Sequence, residues 1–122
     1  MKIMVVDDEE DIPFLFKQKF RREIKTGEIQ MDFASSAEEA LGYLQAKVSD
    51  CLFLMLVDIN MPGMNGLELL KITKKNFPNL KVFIITAYGD EQNYRTAREY
   101  GADDYIEKPV EFEQLKKKIL KV

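Results

Sequence analysis

The residues able to do chemistry in this sequence recur at one kind of place, the end of a short apolar run. Asp7 and Asp8 follow KIMVV, Asp58 follows CLFLMLV, Thr86 lies at the end of KVFIITA, and Lys108 follows DDYIE. Three carboxylates drawn to one spot repel each other, and at least one is pushed to keep its proton unless positive charge is supplied. A divalent cation or a nearby ammonium supplies it. The chain contains no histidine and a single cysteine, Cys51, inside an apolar run, so any metal ligands here are oxygens. Oxygen-only sites favour magnesium, which keeps several waters and shares its shell with phosphate. A rigidly held carboxylate such as Asp58 can attack phosphorus to form an acyl phosphate. Phosphoryl transfer then asks the protein for positioning and for charge cancellation on three equatorial oxygens. The metal, the Lys108 ammonium and the Thr86 hydroxyl with nearby backbone N–H groups give each oxygen a partner.

Each residue alone has a plainer explanation. Acids after a strand often cap the next helix, and Glu9, Glu10 and Asp11 are expected to do so. A threonine at a strand end is usually structural, and Lys-Pro is usually a turn. The chemical reading rests on all of these residues falling at the ends of different strands.

The positioning elements follow from periodicity. Apolar strand-like runs occupy residues 2–6, 30–34, 51–57, 81–87 and 103–107. Between them run helical patterns: Ile12, Leu15, Phe16, Phe20 and Ile24; then Ala37, Ala40, Leu41 and Leu44; then Leu67, Leu70, Thr73 and Phe77, stopped near Pro78. Ser36 with Glu39 forms a capping-box pattern. A polar helix over 90–100 ends at Gly101, and a last helix over 111–121 turns Phe112, Leu115 and Ile119 inward. Five alternations of strand and helix predict an α/β domain with a parallel sheet, right-handed crossovers and helices on both faces. Open sheets of this kind carry their sites at the carboxyl ends of the strands.

The 122 residues suit one domain over 1–122, and the net charge of −3 argues against nucleic-acid binding. The lysines at 116, 117, 118 and 121 are read as the solvated face of the last helix. No apolar run approaches bilayer-spanning length, so no membrane insertion is expected. The chain enters a strand at Lys2 with no basic-then-apolar leader, and with one cysteine a cytoplasmic location is expected.

Taken in order, VVDDEED, LVDINMPGMNGLELL, ITA and GADDYIEKPV make the chain resemble the receiver domains of two-component response regulators over essentially its whole length. The resemblance implies a flavodoxin-like (βα)5 three-layer sandwich, with its five parallel strands in the order 2-1-3-4-5. It makes Asp58 the phosphoacceptor, Asp7 and Asp8 the acidic pair of a Mg2+ site, with Asp8 the usual direct ligand, and the Asn60 backbone carbonyl a further ligand. Lys108 contacts the phosphoryl group, Thr86 turns toward it, and Tyr105 swings inward behind Thr86. The Lys108-Pro109 bond is commonly cis in this family. Two departures are the bulky Tyr88 beside the site and Val110, where Phe is common. Asn60 and Tyr88 are placed to flank the water path, so the ring of Tyr88 predicts a long-lived phosphoprotein.

The function expected is that of a signalling phosphoacceptor with only self-catalysed phosphorylation and dephosphorylation. A histidine kinase or phosphotransfer protein donates the phosphoryl group. The face made by residues 90–107 and the last helix, around Tyr94, Arg98, Tyr100 and Tyr105, then changes shape. A downstream protein or output domain reads that change, with the domain as a monomer or a phosphorylation-dependent dimer. One rival is a haloacid dehalogenase-type phosphatase using Asp58, which needs an acid where Asn60 stands. Another is a flavodoxin-like FMN carrier, whose phosphate Asp7 to Asp11 would repel. A third is a receiver excised from a longer regulator or hybrid kinase, since the last helix closes just before Val122.

Overall fold

The computed structural model describes residues 1–46, 52–61, 65–87 and 89–121. Cys51, the single cysteine, lies outside them. The strands are β1 (Lys2–Val6), β2 (Gln30–Ala34), β3 (Leu52–Asp58), β4 (Lys81–Thr86) and β5 (Asp104–Glu107). The helices are α1 (Ile12–Lys19), α2 (Arg21–Lys25), α3 (Ala37–Gln45), α4 (Gly66–Asn76), α5 (Glu91–Glu99) and α6 (Phe112–Leu120). All strand pairings are parallel, and the order is β2-β1-β3-β4-β5, as the resemblance implies.

The runs that lack polar–apolar alternation are the inner strands, because both faces of a doubly covered parallel sheet are buried. Alternate residues divide between two cores. Met4, Val6, Met55, Val57, Val82 and Ile84 join the buried side chains of α3, α4 and α5. Ile3, Val5, Leu54, Leu56, Phe83 and Ile85 join Phe16, Phe20, Leu115 and Ile119 on the opposite face. Burying one such aliphatic side chain contributes about 1.5–3 kcal/mol.

Three helix-level expectations need comment. The single helix expected through Ile24 divides at Phe20, whose ψ of 19° departs from helical geometry. Phe20 is fully buried, stacked on Phe16 and edge-on to Phe112, and packing there takes precedence over regular backbone. The Ser36 cap forms, its hydroxyl accepting from the Glu39 N–H at 3.0 Å. Its reciprocal half does not, since the Glu39 carboxylate accepts from Ser35 Oγ instead. The terminal lysines are only partly a solvated face. Lys116 pairs with Glu23 at 3.5 Å, and Lys118 pairs with Asp104 at 3.0 Å, which ties α6 to α2 and β5.

Candidate functional site

Asp58 is the last residue of β3 and only 1% exposed. Its Oδ1 accepts from the Asn60 N–H at 3.1 Å, and its Oδ2 accepts from Lys108 Nζ at 3.1 Å. The chain leaves the sheet immediately afterwards and turns into α4, whose first residue, Gly66, rides against the backbone of Asp58. A Cβ at Gly66 would lie 2.6 Å from the Asp58 carbonyl oxygen and 2.6 Å from Ile59 Cα. That position admits no side chain, a constraint that residue type alone does not reveal. The available signal was Asn65 before it. Asn65 caps α4 by accepting from the Glu68 N–H, so glycine occupies the first helical turn rather than a free loop.

Asp7 follows β1, held by a bond from its N–H to the Ala34 carbonyl, and its Oδ1 accepts from the Glu9 N–H. This overturns the expected role of Glu9 to Asp11 as caps. Asp11 is the N-cap of α1 but makes no side-chain bond there, and the carboxylate that satisfies a loop N–H is Asp7 itself. Asp7 is largely buried while Asp8 is exposed, and one oxygen from each of Asp7, Asp8 and Asp58 lies within 4.8 Å of the others. Burial is the main cause that pushes the Asp7 carboxyl up to about 6. The Asp58 charge adds to the rise, and the Glu9 N–H and the Lys108 ammonium oppose it. For Lys108, burial alone would lower the pKa. The hydrogen bond and charge of Asp58, with Asp7 and Glu9, outweigh burial and hold the ammonium above its ordinary value.

The far side of the site comes from β4 and β5. Asp58 pairs in register with Ile85, so Thr86 stands one residue beyond it. The Thr86 hydroxyl is fully buried and has no hydrogen-bond partner among the described residues. Lys108 N–H donates to the Thr86 carbonyl at 2.8 Å, and the Lys108-Pro109 bond is cis. Tyr105 is half-buried on β5. Its hydroxyl donates to the Asp90 carbonyl at 3.1 Å, and its ring meets Tyr94 edge-on at 4.4 Å.

The structure thus brings Asp7, Asp8, Asp58, Thr86 and Lys108 to one sheet edge, with Asn60 bonded to Asp58 through its backbone and its side chain exposed. Tyr88, assigned above to the water path, lies outside the described residues.

The family model described as the response regulator receiver domain matches residues 3–120. The chain belongs to the response regulator receiver family. Receiver domains are signalling phosphoacceptors that interact with histidine kinases and output domains in two-component systems. The sporulation initiation phosphotransferase F of Bacillus subtilis is 32% identical over 120 residues, covering 98% of this chain and 91% of its own. A cyclic di-GMP phosphodiesterase of Thermotoga maritima is 31% identical and the transcriptional regulator NtrC of Proteus hauseri 37% identical. This chain spans only 30% and 22% of those two proteins. Among solved structures, a CheY-like receiver from Methanospirillum hungatei superposes with a TM-score of 0.86 at 32% identity, covering 98% of this chain and 90% of its own. Receiver domains typically bind Mg2+ at an acidic cluster, and here that cluster is Asp7, Asp8 and Asp58. No helix among the described residues is long and apolar enough to cross a membrane.

Proposed function

We propose that this receiver accepts a phosphoryl group on Asp58 from a histidine kinase or phosphotransfer protein and relays the event through Thr86 and Tyr105. The observation that carries the reading is the convergence of Asp7 and Asp8 on a buried Asp58 already paired with Lys108. The donor set fits Mg2+: three carboxylate oxygens, no nitrogen or sulfur, and one exposed member beside which water can complete the shell. Asp7, Asp8, Asp58 and the Asn60 carbonyl would hold it. A bound Mg2+ supplies positive charge to the carboxylates and to a phosphoryl oxygen.

The chain's own groups do the rest. An Asp58 carboxylate oxygen forms the new bond to phosphorus, the donor's P–N bond breaks, and its electron pair stays on the donor nitrogen. Lys108, already on Oδ2 of Asp58, is placed to follow the charge onto the phosphoryl oxygens. The unpaired Thr86 hydroxyl gains an acceptor once that group arrives. A buried donor without a partner costs about 1–3 kcal/mol, so satisfying it biases the local equilibrium. As Thr86 turns, Tyr105 gives up Asp90 and packs behind it, and the face of α5, β5 and α6 changes for a downstream protein or output domain. The domain works as a monomer or a phosphorylation-dependent dimer.

The test is incubation with Mg2+ and acetyl phosphate, followed by intact-mass measurement. One phosphoryl group is expected on the wild type and none on Asp58→Asn, because an amide is not a nucleophile toward phosphorus. Phosphorylation surviving in that variant would refute the assignment.

A further inference from the structure

At β2 the sheet has an edge that no other strand pairs among the described residues and that is not part of the site above. Gln30 N–H donates to the Met1 carbonyl and the Ala34 carbonyl accepts from Asp7 N–H, so Gln30, Asp32 and Ala34 turn their backbone toward β1. Alternation along a parallel strand then leaves the N–H and C=O of Met31 and Phe33 facing outward. The side chains of the same two residues are half-buried on the α1 face of the sheet, at the rim of the core.

Above this rim runs a groove of about 600 Å3, floored by Ile24, Ile29 and Met31 and walled by Lys17, Arg21 and Lys25. The three cations are four residues apart, Lys17 on α1 and Arg21 and Lys25 on α2, where that step is roughly 6 Å of rise. Side chains on one face of an extended strand repeat at about 6.6–6.8 Å, nearly the same spacing. None of the three has a carboxylate partner among the described residues, and Lys17 sits 5.6 Å above the Phe33 ring.

We propose that the β2 edge and this groove form a docking site for an extended acidic segment of a partner protein, added as a sixth strand. Its backbone would pair with Met31 and Phe33. Small apolar side chains on the outer face would extend the sheet, and acidic ones beneath α1 and α2 would meet Lys17, Arg21 and Lys25. Strand addition draws affinity from main-chain bonds and selectivity from the side-chain row. The competing explanation is that the cations only guard an exposed edge against self-pairing.

Amide chemical shifts of the isotope-labelled domain, recorded against acetylated and amidated (Glu-Val)4 at roughly millimolar concentration, decide between them. The expected result is shifts and slowed amide exchange centred on Met31 and Phe33. (Lys-Val)4 should bind at least about tenfold more weakly, and so should N-methylation of the edge-facing amides of the acidic peptide. Lys17→Glu and Arg21→Glu, each first shown to melt cooperatively, should each weaken binding and reverse the preference between the two peptides. Absence of shifts, shifts centred elsewhere, or equal binding of both peptides overturns the proposal. So does self-association of the charge-reversed variants without any peptide binding.

Discussion

At Asp7, one carboxyl carries two opposing demands. Its pKa of about 6, set first by burial, means that folding without metal favours the protonated acid. The unfolded group titrates near 3.8, so this contribution to stability is fully present below that pH and is lost as pH rises through about 6. Asp7→Asn is therefore expected to stabilise the metal-free protein at pH 7 by on the order of 1–3 kcal/mol in urea denaturation, and to change little at pH 4. Magnesium needs the ionised form. Its affinity in the wild type should fall about tenfold per pH unit below about 6, which calorimetry can follow, and Asp7→Asn should bind weakly with that step removed. At Lys108, the residue-scale expectation concerns the buried partner. Lys108→Met strands Asp58 with only the Asn60 N–H, and should cost about 3–5 kcal/mol at neutral pH in chemical denaturation. Combining it with Asp58→Asn should recover most of the loss, since the Asp58 charge that Lys108→Met leaves unpaired is then gone.

Among the elements, the seat of α4 is the most constrained. Gly66→Ala forces a methyl group into the backbone of Asp58 and Ile59, and the expected cost is about 1–3 kcal/mol with slower phosphorylation of Asp58. Urea denaturation and acetyl phosphate kinetics on the same sample check both. An effect on stability alone would mean that α4 shifts without moving the acceptor. The element level also shows where sequence reading reaches its limit. The ends of β1 and β5 were legible, and those of β3 and β4 to within one residue, because runs such as KVFIITA leave no competing periodicity. The division at Phe20 was not legible. It arises from contacts with Phe16 and Phe112, the latter more than ninety positions away, and local pattern carries no trace of them. The capping role given to Glu9 to Asp11 failed for a related reason. Residue type shows that a carboxylate can satisfy an N–H, but only the turn geometry decides that Asp7 does so.

Across the whole molecule, stability is unevenly distributed. The three inner strands are buried on both faces, whereas α5 buries a single residue, Ala97, and is held at its start by the Asp90 cap and the Tyr105 hydroxyl. Native-state hydrogen exchange is expected to be slowest in β1, β3 and β4 and at least about tenfold faster through Glu91–Glu99. Protection in α5 equal to that of β3 would contradict the ease of rearrangement that the proposed switch requires. The site belongs to the same scale, and for that reason its membership was readable: a parallel sheet aligns the ends of distant runs, so type and position in each run were sufficient. The state of Thr86 was not readable. Only packing shows that its hydroxyl is buried with no hydrogen-bond partner meeting ordinary geometry among the described residues.

The pairing of Asp58 with a lysine fifty positions later has a consequence for the chain as it is made. Translation delivers Asp7, Asp8 and Asp58 first, and β4, Thr86, β5 and Lys108 only afterwards. Until the ribosome has passed Thr86, β3 lacks the neighbour that carries it, and until it has passed Lys108, Asp58 lacks the ammonium it pairs with. A nascent chain that stops short of Lys108 therefore gathers the three acids without their cation, and the Asp58–Lys108 pair forms only once the last strand has been made.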